Sequence, residues 1–264
     1  MLEQVVQDDS IQRQDEAGVC RLTLNRPDQY NTLSEEVLAA FQLHLDDIEA
    51  DDSVRCVVIA AKGPAFCAGH DLKQMRANPD RDYYRRLFNT CAGVMKSIVT
   101  LPVPVIAEVQ GLATAAGCQL VATCDMAIAA DGARFAVSGI KLGLFCSTPA
   151  VAVSRNVNAK TAFEMLVTGD FMDAQTAVEK GLINDAVAPQ VLGERVKQLT
   201  DSICEKSPVV VRIGKAMFYK QLEMGLAEAY DFAGETMACN MMEQDTCEGI
   251  DAFIEKRKPV WKSG

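Results

Sequence analysis

The sequence predicts an α/β protein, and three observations carry that prediction. Apolar runs of strand length recur along the first half. The segments between them carry apolar residues at helical spacing, so strands and helices alternate. Beyond about residue 155 helical patterning dominates, which places a boundary near residue 190 between an α/β core (1–190) and a helical C-terminal part (191–264).

The elements follow in order. VCRLTL (19–24) alternates like a strand with Cys20, Leu22 and Leu24 on one face, and it stops at Asn25-Arg26-Pro27. Thr32 with Glu35 reads as a capping box, followed by Val37, Phe41, Leu45 and Ile48 on one helix stripe. VRCVVIAA (54–61) is a continuous apolar run but for Arg55, as a strand buried on both faces would be. Tyr84, Leu87, Phe88, Cys91, Val94, Met95 and Ile98 form the next helix stripe, and VPVIAEV and DMAIAA give two further buried strands. AKTAFEMLVTG ends at Gly169, and DAQTAVEKG opens on the N-cap Asp173 and closes at Gly181. EGIDAFIEKRKP is a final helix with cations in its last turn and Pro259 beyond it.

Composition narrows the function classes. The 264 residues are 49% apolar and 23% charged, which excludes a disordered or fibrous chain. A net charge of −10 works against binding a phosphate backbone, so no nucleic-acid partner is expected. The longest weakly charged stretch, 98–119, is broken by Pro102, Pro104, Glu108 and Gly111, and no membrane span is expected. Ten cysteines without a CxxC pair read as free thiols in a reducing compartment: the cytoplasm of a bacterium, or the mitochondrial matrix if a transit peptide has been removed. No metal site is indicated.

Two loops of small residues follow buried strands: PAFCAGHDLKQM (64–75) and GLATAAGCQL (111–120). Small side chains let a ligand approach the main chain, and N–H groups at a helix start suit an oxygen that gains negative charge. Two such groups converging from two loops would form an oxyanion hole. Tight packing of helices on strands is the alternative. A phosphate loop fits poorly, since neither GxGxxG nor GxxxxGK[ST] occurs in them.

AFCAGHDLKQM resembles the A-F-x-A-G-x-D-L signature of the crotonase superfamily, the enoyl-CoA hydratases and isomerases, and GLATAAGCQLVATCD resembles its second signature, G-x-A-x-G-G-G-C-E-L-x-x-x-C-D. LTLNRPDQYNTLS, FAVSGIKLGLF, the stretch 162–169 and FIEKRKPVW fall in family order. GHDLK, AAGCQLVA and GLFCSTP resemble the subgroup of enoyl-CoA hydratase domain-containing proteins.

That resemblance implies a spiral of ββα turns with a helical C-terminal trimerisation part, assembled as a trimer or a dimer of trimers. It implies a coenzyme A thioester as substrate or ligand and no other cofactor. The thioester oxygen would sit on the N–H groups of His70 and Ala116, with Gly117 beside them. Coenzyme A would run past Arg26, Phe66, Ala68, His70, Asp71, Leu72 and Lys73, with Lys256 or Lys258 near its phosphates. Cys146 would line the acyl pocket; it lacks an evident base that would make it a nucleophile. Asp71 and Asp125 would be structural.

The sequence departs from the family where its two catalytic glutamates belong. Those positions are Gln119 and Gly139. An amide is no general base near neutral pH, and glycine has no side chain, so ordinary hydration is not expected. Glu108 and Glu164 are the nearest other carboxylates in apolar segments. Ala115 and Ala116 stand where relatives carry glycine, which is tolerable at negative φ and fails at positive φ. The readings left open are an enzyme with a reduced acid–base set, a decarboxylase-type lyase that needs no base, and a non-catalytic acyl-CoA-binding protein. The G-H-D run is similar to that of methylmalonyl-CoA decarboxylases, although their tyrosine falls at Cys146. RNA binding, found in one superfamily branch, ranks last for lack of basic surface.

Overall fold

After an opening hairpin, three successive turns of the chain each lay one strand in a large sheet, a short second strand in a smaller sheet, and then helix. The computed structural model describes residues 9–262. β1 (Ile11–Glu16) and β2 (Val19–Leu24) form an antiparallel hairpin whose turn, Ala17-Gly18, has φ of 50° and 81°. Positive φ at both residues matches the right-handed twist of the strands. α1 (Glu35–Glu49) then leads to β3 (Cys56–Ala61), β4 (Ala65–Cys67), α2 (Leu72–Ala77) and α3 (Arg81–Thr100). β5 (Val105–Val109), β6 (Leu112–Thr114) and α4 (Ala116–Thr123) repeat the unit. So do β7 (Met126–Ala130), β8 (Arg134–Ala136) and α5 (Ser147–Asn156).

α6 (Ala159–Thr168), β9 (Met172–Asp173), α7 (Ala174–Lys180) and β10 (Asp185–Val187) complete the two sheets. The large sheet runs β1-β2-β3-β5-β7-β10, parallel from β2 onward. The small sheet runs β4-β6-β8-β9. Stacking the ββα units in this way brings the loops after β4 and β6 side by side, and that is where the site lies.

The continuous apolar run of β3 has a direct cause. Val57 and Ile59 face the main core with Leu22, Phe41 and Ile98. Cys56 and Val58 face a second cluster with Ile106 and Ile128, which Leu192 and Val196 of α8 (Leu192–Cys204) cover. Both faces are buried, so alternation disappears.

Three local expectations are corrected. The cap of α1 is Ser34, whose hydroxyl accepts from Val37 N–H, and not Thr32. Leu33 forms a parallel bridge with His70, which keeps the chain extended past Thr32. The last helix, α11 (Gln244–Glu255), ends one residue before its expected cations; Lys256 closes it at φ 58° and Arg257 turns back to Glu248. Tyr83, rather than Tyr84, is the buried tyrosine of α3. The glycine caps at Gly169 and Gly181 and the Asp173 N-cap are as the sequence predicts.

α9 (Pro208–Gln221), α10 (Leu226–Asn240) and α11 add few buried residues of their own. α9 is tied to the core by a buried polar cluster. Asp125 accepts from Val105 N–H at 2.6 Å, from Lys215 Nζ at 2.7 Å and from Tyr219 Oη at 2.6 Å. Lys215 also donates to the Ile98 and Val103 carbonyls, each at 2.9 Å. Burial lowers the Lys215 pKa, opposed by the Asp125 charge. Lys215→Met leaves a buried carboxylate without its cation and is expected to cost about 3 kcal/mol in chemical denaturation; a change within about 0.5 kcal/mol would show that the cluster does not anchor α9.

Candidate functional site

The first loop is positioned by a buried asparagine. Asn31, at φ 52°, donates from Nδ2 to the Lys62 and Ala65 carbonyls and accepts from Arg26 N–H through Oδ1. This fixes the Asn25-Arg26-Pro27 corner beside the start of β4. After β4 the chain turns at Gly69, φ 93°. Leu33 N–H donates to the Gly69 carbonyl at 2.8 Å. In a parallel bridge of this pattern the facing residue, His70, turns its own N–H to the opposite side. Asp71 caps α2, accepting from Lys73 N–H and Gln74 N–H.

The second loop packs against the first. A methyl group at Gly69 would sit 3.0 Å from Ala115 Cβ and 3.3 Å from Ala116 N. One at Gly117 would sit 2.0 Å from the Cys67 carbonyl oxygen, so only glycine fits. Thr114 Oγ1 donates to the Ala68 carbonyl at 3.1 Å, a further tie between the loops. Ala116 is the first residue of α4, and its N–H has no acceptor within the helix.

Ala115 departs from the condition set by the sequence. It sits at φ 49°, ψ −118°, a conformation suited to glycine. Ala116, in the helix, does not. The loop holds Ala115 there because its N–H donates to the Ala136 carbonyl while its own carbonyl receives Gln119 N–H. Such backbone strain costs roughly 1–3 kcal/mol.

His70 and Gln119 lie along the two loops from this junction. His70 Nδ1 is 3.2 Å from the Leu33 carbonyl, and its ring meets Phe88 edge-on with centroids 5.5 Å apart. Burial pushes its pKa down, opposed by the Leu33 bond, so the imidazole is neutral at pH 7. Nε2 is buried and has no hydrogen-bond partner. Gln119, one turn after Ala116 on α4, is 4% exposed, and its Oε1 is likewise without a partner.

Gly139 is buried in a tight turn closed by Leu144 N–H on its carbonyl. A methyl there would sit 2.6 Å from Cys146 Sγ and 2.7 Å from the Leu144 oxygen. The space for a side chain at this position is therefore occupied, and none can be introduced without moving the turn. Cys146 is buried, and burial raises its thiol pKa, as it raises those of Cys67 and Cys118 to about 12. None of the three is poised as a thiolate nucleophile.

The other carboxylates are spoken for. Glu108 pairs with Arg21 through contacts of 2.7 and 3.2 Å, and Glu164 is exposed on α6. Of the remaining sequence candidates, Phe66 is fully buried in the core, Ala68 is half-buried beside Gly69, and Leu72 and Lys73 are exposed on α2. Arg26 reaches Ser34 Oγ at 3.4 Å. Sequence reasoning missed Asn31 and Phe88. Asn31 carried a signal, a polar residue just after an Arg-Pro corner, whereas the edge-on contact of Phe88 is set by packing alone. Ala115→Gly relieves the strained φ and is expected to stabilise the protein by about 1 kcal/mol after the added chain entropy, read as a higher denaturation midpoint; a lower midpoint would remove strain from this loop.

The comparisons with known proteins agree with this arrangement. The enoyl-CoA hydratase/isomerase family matches residues 14–264. The mitochondrial enoyl-CoA hydratase domain-containing protein 3 of Xenopus laevis is 46% identical over 248 residues, 94% of this chain and 84% of that protein. The Homo sapiens protein of the same name is 45% identical over 245 residues, 92% of this chain and 80% of that one. The crystal structure of enoyl-CoA hydratase from Mycobacterium smegmatis, 55% identical, superposes with a TM-score of 0.94 and covers 96% of this chain and 98% of its own. The crystal structure of the human domain-containing protein 3, 44% identical, gives 0.93 over 96% of this chain and 100% of its own. The ββα spiral is thus a crotonase fold, and the chain belongs to the enoyl-CoA hydratase/isomerase family.

Proposed function

We propose that this protein binds an acyl-coenzyme A thioester and holds its carbonyl oxygen between the N–H groups of His70 and Ala116. The observation that carries this reading is the backbone contact between the two loops, where Gly69, at φ 93°, packs tightly against Ala115 and Ala116. On this reading the two amides, one from each loop, converge on the carbonyl oxygen. An amide that meets the charge developing on such an oxygen is worth roughly 2.7–4 kcal/mol of barrier. The acyl group would extend past Gln119 and Cys146, and coenzyme A past Arg26, Leu72 and Lys73.

Ordinary hydration is not part of the reading. Gln119 cannot take a proton, Gly139 has no space for a carboxylate, Glu108 is ion-paired and Glu164 is exposed. Loss of a positioned acid–base group lowers rates by about 10²–10⁴-fold. The alternative supported by the missing carboxylates is acyl-CoA binding without turnover. Ala116→Pro tests the oxyanion assignment: proline suits the first helical position but removes the donor. Acyl-CoA turnover, where present, should fall at least about 100-fold with circular dichroism unchanged; retained turnover would sink the assignment.

The reading includes self-association through the C-terminal helices, as a trimer or a dimer of trimers. Leu226, Tyr230, Met237 and Met242 on and after α10, and Phe253 and Ile254 on α11, are each more than two-thirds exposed in the single chain. A groove of ≈ 630 Å³ between α9 and α11, lined by Val210, Val211, Ile250, Phe253 and Trp261, adds to that apolar surface. Apolar area on this scale marks an interface in a soluble protein. Light scattering after gel filtration should give the mass of three or six chains; a monomer at micromolar concentration would overturn this part of the reading.

A further inference from the structure

α4 is held from its C-terminal end and left open at its start. Its N-cap, Ala115, supplies no side-chain hydrogen bond, and all eight residues of the helix are buried. The last turn is occupied: Asn156 Nδ2 donates to the Ala122 carbonyl at 2.7 Å, and Cys124 N–H donates to that of Leu120 at 3.2 Å. Asp125 comes next. Its Oδ2 accepts from Val105 N–H at 2.6 Å and from Lys215 Nζ at 2.7 Å, and its Oδ1 accepts from Tyr219 Oη at 2.6 Å. Lys215 also donates to the Ile98 and Val103 carbonyls, so this anchor joins the end of α3, the start of β5 and α9.

Between these ties and the strand it faces, α4 has little slack. A methyl group at Gly117 would sit 2.0 Å from the carbonyl oxygen of Cys67, the last residue of β4, so the helix already touches that main chain. Close-packed interiors transmit small displacements instead of absorbing them. The eight-residue helix is about 12 Å long, and Ala116 is its first residue, so a shift of Asp125 along the axis reappears at the Ala116 amide. The carboxylate has room to make such a shift once a donor is lost. Its donors line a groove of ≈ 330 Å³ with Pro104, Met126 and Phe218.

Resting on the acyl-CoA reading above, we propose that Asp125, with Lys215 and Tyr219 as its donors, is a positioning residue: through α4 it sets the place of the Ala116 N–H, and so how strongly that amide bonds the thioester oxygen. None of the three side chains touches the ligand. Their effect falls on the carbonyl, and the remainder of coenzyme A, which runs past the other loop, is unaffected.

The test is the infrared band of the thioester carbonyl of butyryl-CoA, labelled with carbon-13 at that carbon, free and bound, together with calorimetric affinities for butyryl-CoA and free coenzyme A at pH 7.5. Hydrogen bonds to the oxygen lower this band, and a tie that only stabilises the fold leaves its bound position alone. On binding to the wild type the band should fall below its position in water. Tyr219→Phe keeps the ring and removes one bond to Asp125; it should lose at least about half of that shift and bind butyryl-CoA at least about threefold more weakly, with coenzyme A affinity within about twofold of wild type. Lys215→Met should lose at least as much, and Tyr219→Phe decides alone if Lys215→Met does not fold. Ile48→Val, a loss of buried packing on α1, is the control and should keep the full shift.

A wild-type shift retained in Tyr219→Phe, or an equal loss in Ile48→Val, would overturn the positioning role and leave the acyl-CoA reading standing. If the wild type binds butyryl-CoA no more tightly than coenzyme A and the carbonyl band does not move, the acyl-CoA reading fails and this inference fails with it.

Discussion

The site depends on a main-chain contact that side chains would prevent. Gly117 packs its Cα against the Cys67 carbonyl, where any Cβ would lie 2.0 Å from the oxygen. Gly69 abuts the first amide of α4. Close packing of this kind has no tolerance, because backbone atoms cannot rotate away as a flexible side chain can. With the two loops pressed together, the small residues on either side become a wall made of peptide groups, and the Ala115 backbone is held in a conformation it would not choose. The strain is local and is offset by the surrounding bonds of Ala136 and Gln119.

A second constraint joins that wall to the helical end of the chain. Asp125, which follows α4, holds the start of β5 through Val105 N–H and holds α9 through Lys215 and Tyr219. One carboxylate thus ties the second loop's helix, the central strand before that loop, and the C-terminal helices. Its charge is kept in the interior by a cation and two further donors, the condition under which a buried ion pair persists.

The chemistry of the pocket follows from what has been taken out of it. In this member of the family the peptide wall stands beside an amide, Gln119, and a filled turn at Gly139. Cys146 and the Leu144 carbonyl occupy the volume beside Gly139. A neutral imidazole and a carboxamide remain beside the loops, so the polarity of these two side chains is expressed through hydrogen bonding and not through charge.

Patterns that depend on neighbours along the chain were legible in the sequence. The strand at 19–24, the doubly buried run at 56–61, the caps at Gly169, Asp173 and Gly181, and the family signatures around Gly69 and Gly117 all belong to this class. Periodicity and capping are local, and a signature records which residues a fold requires at fixed spacing. The small sheet was not legible, because strands of two or three residues are too short to show a period. Nor was the cap at Ser34, which depends on a bridge from Leu33 to a residue 37 positions away. The positive φ of Ala115, the blocked space at Gly139 and the unpaired atoms of His70 and Gln119 were decided only by the tertiary structure. Each is a relation between atoms distant in sequence, and only packing brings such atoms within contact.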